Sequence, residues 1–172
     1  MVIDITLPLL SWLSVLVVAG ALIAAAVSDF RFLTIPNWCP VTVAAFYLPF
    51  AYALDMPPTG LALHYGLGAL IYVIGLSLAS HGIIGGGDVK LLAATAIWTG
   101  LGMIVQLLLS VAVLGGAIAL ITVCLRRILL EKPKGQEPWW LNPPAGAHAG
   151  IPYGMAISMA GLVLMGQITG LK

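Results

Sequence analysis

VKLLAATAIWTGLGMIVQLLLSVAVLGGAIALITVCL, residues 89–125, carries a single charge, Lys90, over its whole length. As one helix it would be roughly 55 Å long, against a hydrocarbon core of about 30 Å. The run must therefore fold back or tilt steeply. WTGLGM, with Gly100 and Gly102, is the natural break. The reading that follows is a short helix from about 89 to 99 and a full one from about 103 to 125. A helix that reaches only part of the way across is tolerated where other helices shield its ends.

The composition around this stretch agrees with a membrane. Of 172 residues, 61% are hydrophobic and only 8% charged, with a mean hydropathy of +1.10. A water-soluble fold of this size needs far more charge to cover its surface. The fold class is therefore all-α, a polytopic membrane protein. Further spans read as residues 5–27, 38–55 (with Pro40 and Pro49), 60–80 and 151–170, giving about six transmembrane helices. The N-terminus carries Asp4 and no Lys or Arg before its apolar run, unlike a secretory signal, so the first helix is expected to be retained. Residues 126–150 read as a polar, Pro/Gly-rich loop. Residues 1–172 read as one membrane-embedded domain.

Charge supports the six-span count. With the N-terminus outside, Arg31, Lys90, Arg126, Arg127, Lys132 and Lys134 all fall on the cytoplasmic side, and only Lys172 falls outside. Without the fold-back, four of these would change sides. Trp98, Trp139 and Trp140 then fit positions near the interfaces. A net charge of +1 gives no basic face for nucleic acid. Cys39 and Cys124 form no CxxC pair, lie toward the reducing side and read as buried thiols. His64, His81 and His148 show no metal-ligand spacing, so no metal is expected.

Six acidic residues remain. Asp4 and Asp55 read as loop or cap residues, and Glu131 and Glu137 as solvated. Asp29 and Asp88 differ. Two crossings separate them, so they share one face of the membrane whichever way the chain points. Each either ends a helix and faces water, or the two meet at one depth. Gly85, Gly86 and Gly87 precede Asp88 and allow a second backbone to approach closely. An ionisable residue beside such a segment is a functional-site candidate. Two carboxylates meeting there hold one proton between them, the arrangement that activates water against an amide.

These residues carry a resemblance. GGGD, residues 85–88, matches the GxGD signature of intramembrane aspartyl proteases. SDFRFLTIPN followed by GGGDVKLLAA resembles the type IV prepilin peptidase family, most closely the small forms that process Flp-type (tight-adherence) pilins. IPYG, residues 151–154, is similar to a later segment of that family. The likeness covers roughly residues 25–100, with IPYG beyond it. It implies a membrane aspartyl endopeptidase with Asp29 and Asp88 as its catalytic pair and no cofactor. It further implies prepilin or pseudopilin substrates, cleavage at the cytoplasmic face of the bacterial inner membrane, and an indirect tie to pilus or secretion machinery. Larger members carry an N-terminal domain with paired CxxC motifs linked to methyl transfer, and no such domain is expected here.

Other residues have two readings each. Arg31 and Lys90 either steer the substrate or bias the aspartates, or they snorkel to the interface. Pro36 and Asn37 shape the turn after Asp29. Pro152 and Gly154 form a second backbone platform, or simply start a helix. Three rival functions stand beside the peptidase. A proton-coupled transporter would want its carboxylates in mid-span. A non-catalytic assembly subunit would tolerate their loss. A broader GxGD protease would carry a tyrosine where Ser28 stands and a PAL segment where IPYG stands.

Overall fold

The computed structural model describes residues 6–129 and 152–168. Most of the expected polar loop, with Glu131, Lys132, Lys134, Glu137, Trp139, Trp140 and His148, lies outside the described residues, as do Asp4 and Lys172. All regular structure among the described residues is helical: α1 Thr6–Phe32, α2 Trp38–Ala45, α3 Tyr47–Ala53, α4 Pro58–Ser80, α5 Gly86–Leu129 and α6 Tyr153–Ile168. The expected loop start at residue 126 is corrected, because α5 runs on to Leu129.

Three helices are long and apolar enough to cross a membrane: Pro8–Phe32, Pro58–Ser80 and Gly86–Leu125. Trp38–Ala53 and Tyr153–Ile168 are apolar but shorter. The outer surface is oily. Leu16, Val73, Leu109 and Val113 are each more than half exposed. Small residues line many of the helix contacts instead, as expected where lipid rather than water surrounds the bundle. This is an all-α membrane protein.

The expected single helix over 38–55 is two. Pro49 has no N–H to give the Ala45 carbonyl, and its ring crowds that turn. The helix breaks at Phe46 and restarts at Tyr47. Two carbonyls beside the break find side-chain donors. Trp98 Nε1–H donates to the Val43 carbonyl (2.7 Å) and Tyr65 O–H to that of Ala44 (2.7 Å). Trp98 is accordingly buried, with its ring against Tyr47 and Phe50.

The fold-back in α5 is present, and its break lies at Gly100 alone, where φ is 56° and ψ −171°. The contacts show the reversal. Ile35 touches both Gly87 and Gly154, and Thr95 touches Gly161, so residues 86–99 run parallel to α6. Past the break, Gln106 bonds Gln167 (3.0 Å) while Gly115 faces Tyr153, so the second arm runs back down the same helix. α4 lies antiparallel to the first arm. Val89 and Ile97 sit where Gly75 and Gly68 leave room, since a Cβ there would come within 2.6 and 2.5 Å of them. His64 of α4 packs on the break, with Nδ1 2.7 Å from the Ile97 carbonyl and 2.6 Å from the Tyr47 hydroxyl.

Gly100 and Gly102 therefore carry different weight. A Cβ at Gly100 would lie 2.5 Å from the His64 ring on a left-handed backbone, whereas one at Gly102 meets nothing within 4 Å. Gly100→Ala should lower stability by about 1–3 kcal/mol. Gly102→Ala should leave the Tm unchanged or raised. Thermal unfolding in detergent checks both, and equal Tm values for the two variants would contradict this account of the break.

Candidate active site

Asp29 sits one turn before the end of α1, inside the helix rather than beyond it. The chain leaves α1 through Leu33, a non-glycine residue at φ 52°, whose N–H still bonds the Asp29 carbonyl (2.9 Å). Ser28 O–H reaches across this exit to the Thr34 carbonyl (2.8 Å). Residues 33–36 are non-helical, which brings Ile35 back toward the bundle.

The Asp29 side chain is 5% exposed. It faces the first turn of α6, where Met155 N–H donates to Oδ2 (3.3 Å) and Gly154 N–H also bonds the carboxylate. A helix start leaves such N–H groups without partners, and a side-chain oxygen at the N-cap normally takes them. Pro152, at the N-cap of α6, has no such oxygen. A carboxylate from another helix supplies it instead. Gly154 must then lack a side chain, because a Cβ would lie 2.9 Å from the carboxyl carbon and 2.6 Å from Ile35 Cδ1.

Asp88 makes the equivalent contact within its own helix. Gly85 is the N-cap of α5, with its carbonyl accepting the Val89 N–H (3.1 Å). Asp88, at the third helical position, turns back to accept the Gly85 N–H, half of a capping box. A Cβ on Gly85 would lie 2.8 Å from Oδ2 of Asp88. One on Gly87 would press on Ile35 at 3.3 Å, and one on Gly86 would meet nothing within 4 Å. The first and third glycines are therefore constrained and the middle one is free.

Both carboxylates open on one cavity of about 260 Å³, and they are close enough for their charges to interact. Its walls are Leu33, Thr34, Ile35 and Asn37 on one side and Gly85, Gly86, Gly87 and Lys90 on the other. The volume is several times the ~30 Å³ share of one water, enough for water beside a short extended peptide. Lys90 Nζ–H donates to Asn37 Oδ1 (2.8 Å), joining the two motifs across the cavity.

Of the residues singled out in the sequence, Asp29, Asp88, Gly85, Gly86, Gly87, Asn37 and Lys90 line the cavity, and Gly154 backs it. Arg31 is exposed on the last turn of α1, and neither it, Pro36 nor Pro152 lines the cavity. Leu33, Thr34, Ile35 and the Met155 N–H went unnoticed in the sequence. Ile35 had a signal, being apolar between a charged turn and a proline. A leucine at positive φ has none. Among the described residues no cluster of His, Cys, Asp and Glu suited to a metal ion occurs.

The sequence model of the type IV leader peptidase family matches residues 16–120, more than half of the chain and the segment that holds both aspartates. No curated protein and no solved structure shows a match to the chain.

The glycines make the geometry testable against leader-peptide cleavage. Gly85→Ala and Gly154→Ala should each displace a carboxylate and lower the cleavage rate by roughly 100-fold, the scale of a 1 Å misplacement. Gly86→Ala should stay within a few-fold of the parent. Cleavage assays on variants that keep their helical circular dichroism decide it, and a dead Gly86→Ala beside an active Gly85→Ala would refute the arrangement.

Proposed function

The chain belongs to the type IV leader peptidase family, and from that membership we propose that it is an aspartic endopeptidase cutting the leader from Flp-like prepilins or pseudopilins. The observation that carries the reading is the shared cavity, on which two carboxylates from separate helices meet. One carboxylate takes a proton from water while the other, protonated, polarises the scissile carbonyl. They exchange these roles as the tetrahedral intermediate collapses and the leaving amine takes up a proton. Neither step calls for a metal or organic cofactor. The helix N-termini that hold the carboxylates keep the reacting oxygens in place through the cycle.

The positive-inside bias supports a multi-pass protein of the bacterial inner membrane with the cavity at the cytoplasmic face. Both aspartates lie at helix ends rather than in mid-span, which suits a peptidase at the boundary better than a proton-coupled transporter. The whole chain is proposed to act as one membrane-embedded peptidase unit, feeding mature subunits to pilus or secretion machinery without being part of it. Asp29 and Asp88 are the proposed catalytic pair. Gly85, Gly87, Gly154, Asn37 and Lys90 are proposed to shape the site.

Asp29→Asn and Asp88→Asn should each insert normally while the prepilin accumulates uncut. The double variant should be little worse than either single one, since paired groups act as a unit. Immunoblotting of the pilin subunit reads this, and full processing by either variant would remove it from the pair. Reporter fusions test the orientation separately. Fusions after residues 33 and 84 should report the cytoplasm and one after residue 56 the opposite side.

A further inference from the structure

Ile35 stands between the two helix starts that hold the carboxylates. One end of its side chain meets Gly87 in the first turn of α5, where an added Cβ would lie 3.3 Å from Ile35 Cβ. The other end meets Gly154 in the first turn of α6, where an added Cβ would lie 2.6 Å from Ile35 Cδ1. Beside these contacts are the N–H groups that bind the aspartates, Gly85 for Asp88 and Gly154 with Met155 for Asp29. The segment that carries Ile35 is tied on both sides. Ser28 O–H bonds the Thr34 carbonyl (2.8 Å) just before it, and Lys90 Nζ–H bonds Asn37 Oδ1 (2.8 Å) just after it. Ile35 itself is half-buried, packs on the core and lines the carboxylate cavity.

We propose that Ile35 is a positioning residue, a spacer that sets the separation of Asp29 and Asp88 through the helix starts on which they rest. Its effect on rate rests on the peptidase reading of the site; its effect on the spacing does not. A β-branched side chain is stiff at χ1, so the reach of the spacer is well defined. Glycine stands at both contacts, so the side chain bears directly on backbone and passes its position to the neighbouring N–H groups. Truncation would add its vacated space to a polar cavity and admit water. Water there screens the two carboxylates from each other. Few other charges face the pair. Lys90 is the one further charged residue lining the cavity, and it is engaged by Asn37. Arg31 of α1 is exposed, and α6 carries no charged residue from Tyr153 to Ile168. Tyr153 faces Gly115 on the second arm of α5.

The test uses the full chain in lipid vesicles and a synthetic peptide with the polar leader and apolar helix of a prepilin. Ile35→Ala should lower kcat roughly 10- to 100-fold with KM kept, as misplaced catalytic groups do. The kcat–pH profile should change as well. Two carboxylates that interact titrate in two steps, and the ratio of the two ionisation constants measures the interaction. That ratio should fall about tenfold in Ile35→Ala, one decade of interaction lost. Ile35→Val keeps the contact with Gly87 and loses only the methyl that reaches Gly154. It should show both effects at smaller size, and it carries the test if Ile35→Ala does not fold. Leu107→Ala is the control, a fully buried truncation that does not line the cavity. It should lower the Tm and leave the ratio unchanged. A raised KM with an unchanged ratio in the Ile35 variants, or an equal change of ratio in Leu107→Ala, overturns the spacer. Infrared titration of the carboxyl bands, assigned with Asp29→Asn and Asp88→Asn, reads the same ratio without any cleavage. A parent that leaves the peptide whole therefore defeats the peptidase reading, while the infrared ratio still decides the role of Ile35.

Discussion

A backbone N–H or C=O freed inside an apolar bundle must find a partner there, because no bulk water will serve it. Much of this structure follows from that constraint. The break at Phe46 exposes carbonyls, and Trp98 and Tyr65 donate to them. The break at Gly100 leaves the Ile97 carbonyl to the His64 ring. At the opposite end of the bundle the exposed groups are donors. Asp29 accepts from the first turn of α6 and Asp88 from the N-cap of α5. The breaks need side-chain donors and the helix starts need acceptors, and each is met by a different kind of residue.

Charge is tolerated at the site for the same reason. A carboxylate in an apolar bundle is costly, but a helix N-terminus offers oriented N–H groups and a favourable dipole. These bonds occupy only part of each carboxylate. The remaining capacity faces the cavity, so the contacts that hold the aspartates also aim them. On the proposed function, structural and chemical roles coincide in the same two side chains. Glycine is required wherever a carboxylate rests on a backbone, which separates Gly85 and Gly154 from the unconstrained Gly86.

Much of this was legible in the sequence. The all-α membrane class and the reversal near Gly100 followed from run length against membrane thickness, and the side shared by Asp29 and Asp88 from counting crossings. The family followed from the motifs around them. What stayed hidden depended on contacts between distant segments. Nothing around Trp98 in the sequence shows that its N–H serves the carbonyl of Val43, far away in the chain. Pro40 and Pro49 were visible, but which of them ends a helix was not. Asp29 as a cap for α6 joins residues on opposite sides of the polar loop, and no local pattern announces that. The left-handed Leu33 breaks the usual preference for glycine, so propensity gave no warning of it.

The short passes have a consequence for the lipid around them. Residues 86–99 span about 21 Å of helix and residues 38–53 about 24 Å, at 1.5 Å per residue. An average hydrocarbon core is some 30 Å thick. Both elements are thus several ångströms too short to cross it alone, while α1 and α4 are long enough. The shortfall of the α5 arm is met by protein, because Leu91, Ala94, Ile97 and Trp98 are buried among its neighbours. That of residues 38–53 is met by the surroundings, since Trp38, Val41 and Leu48 are exposed. Hydrophobic mismatch on that flank favours a thinner bilayer than the long helices α1 and α4 do.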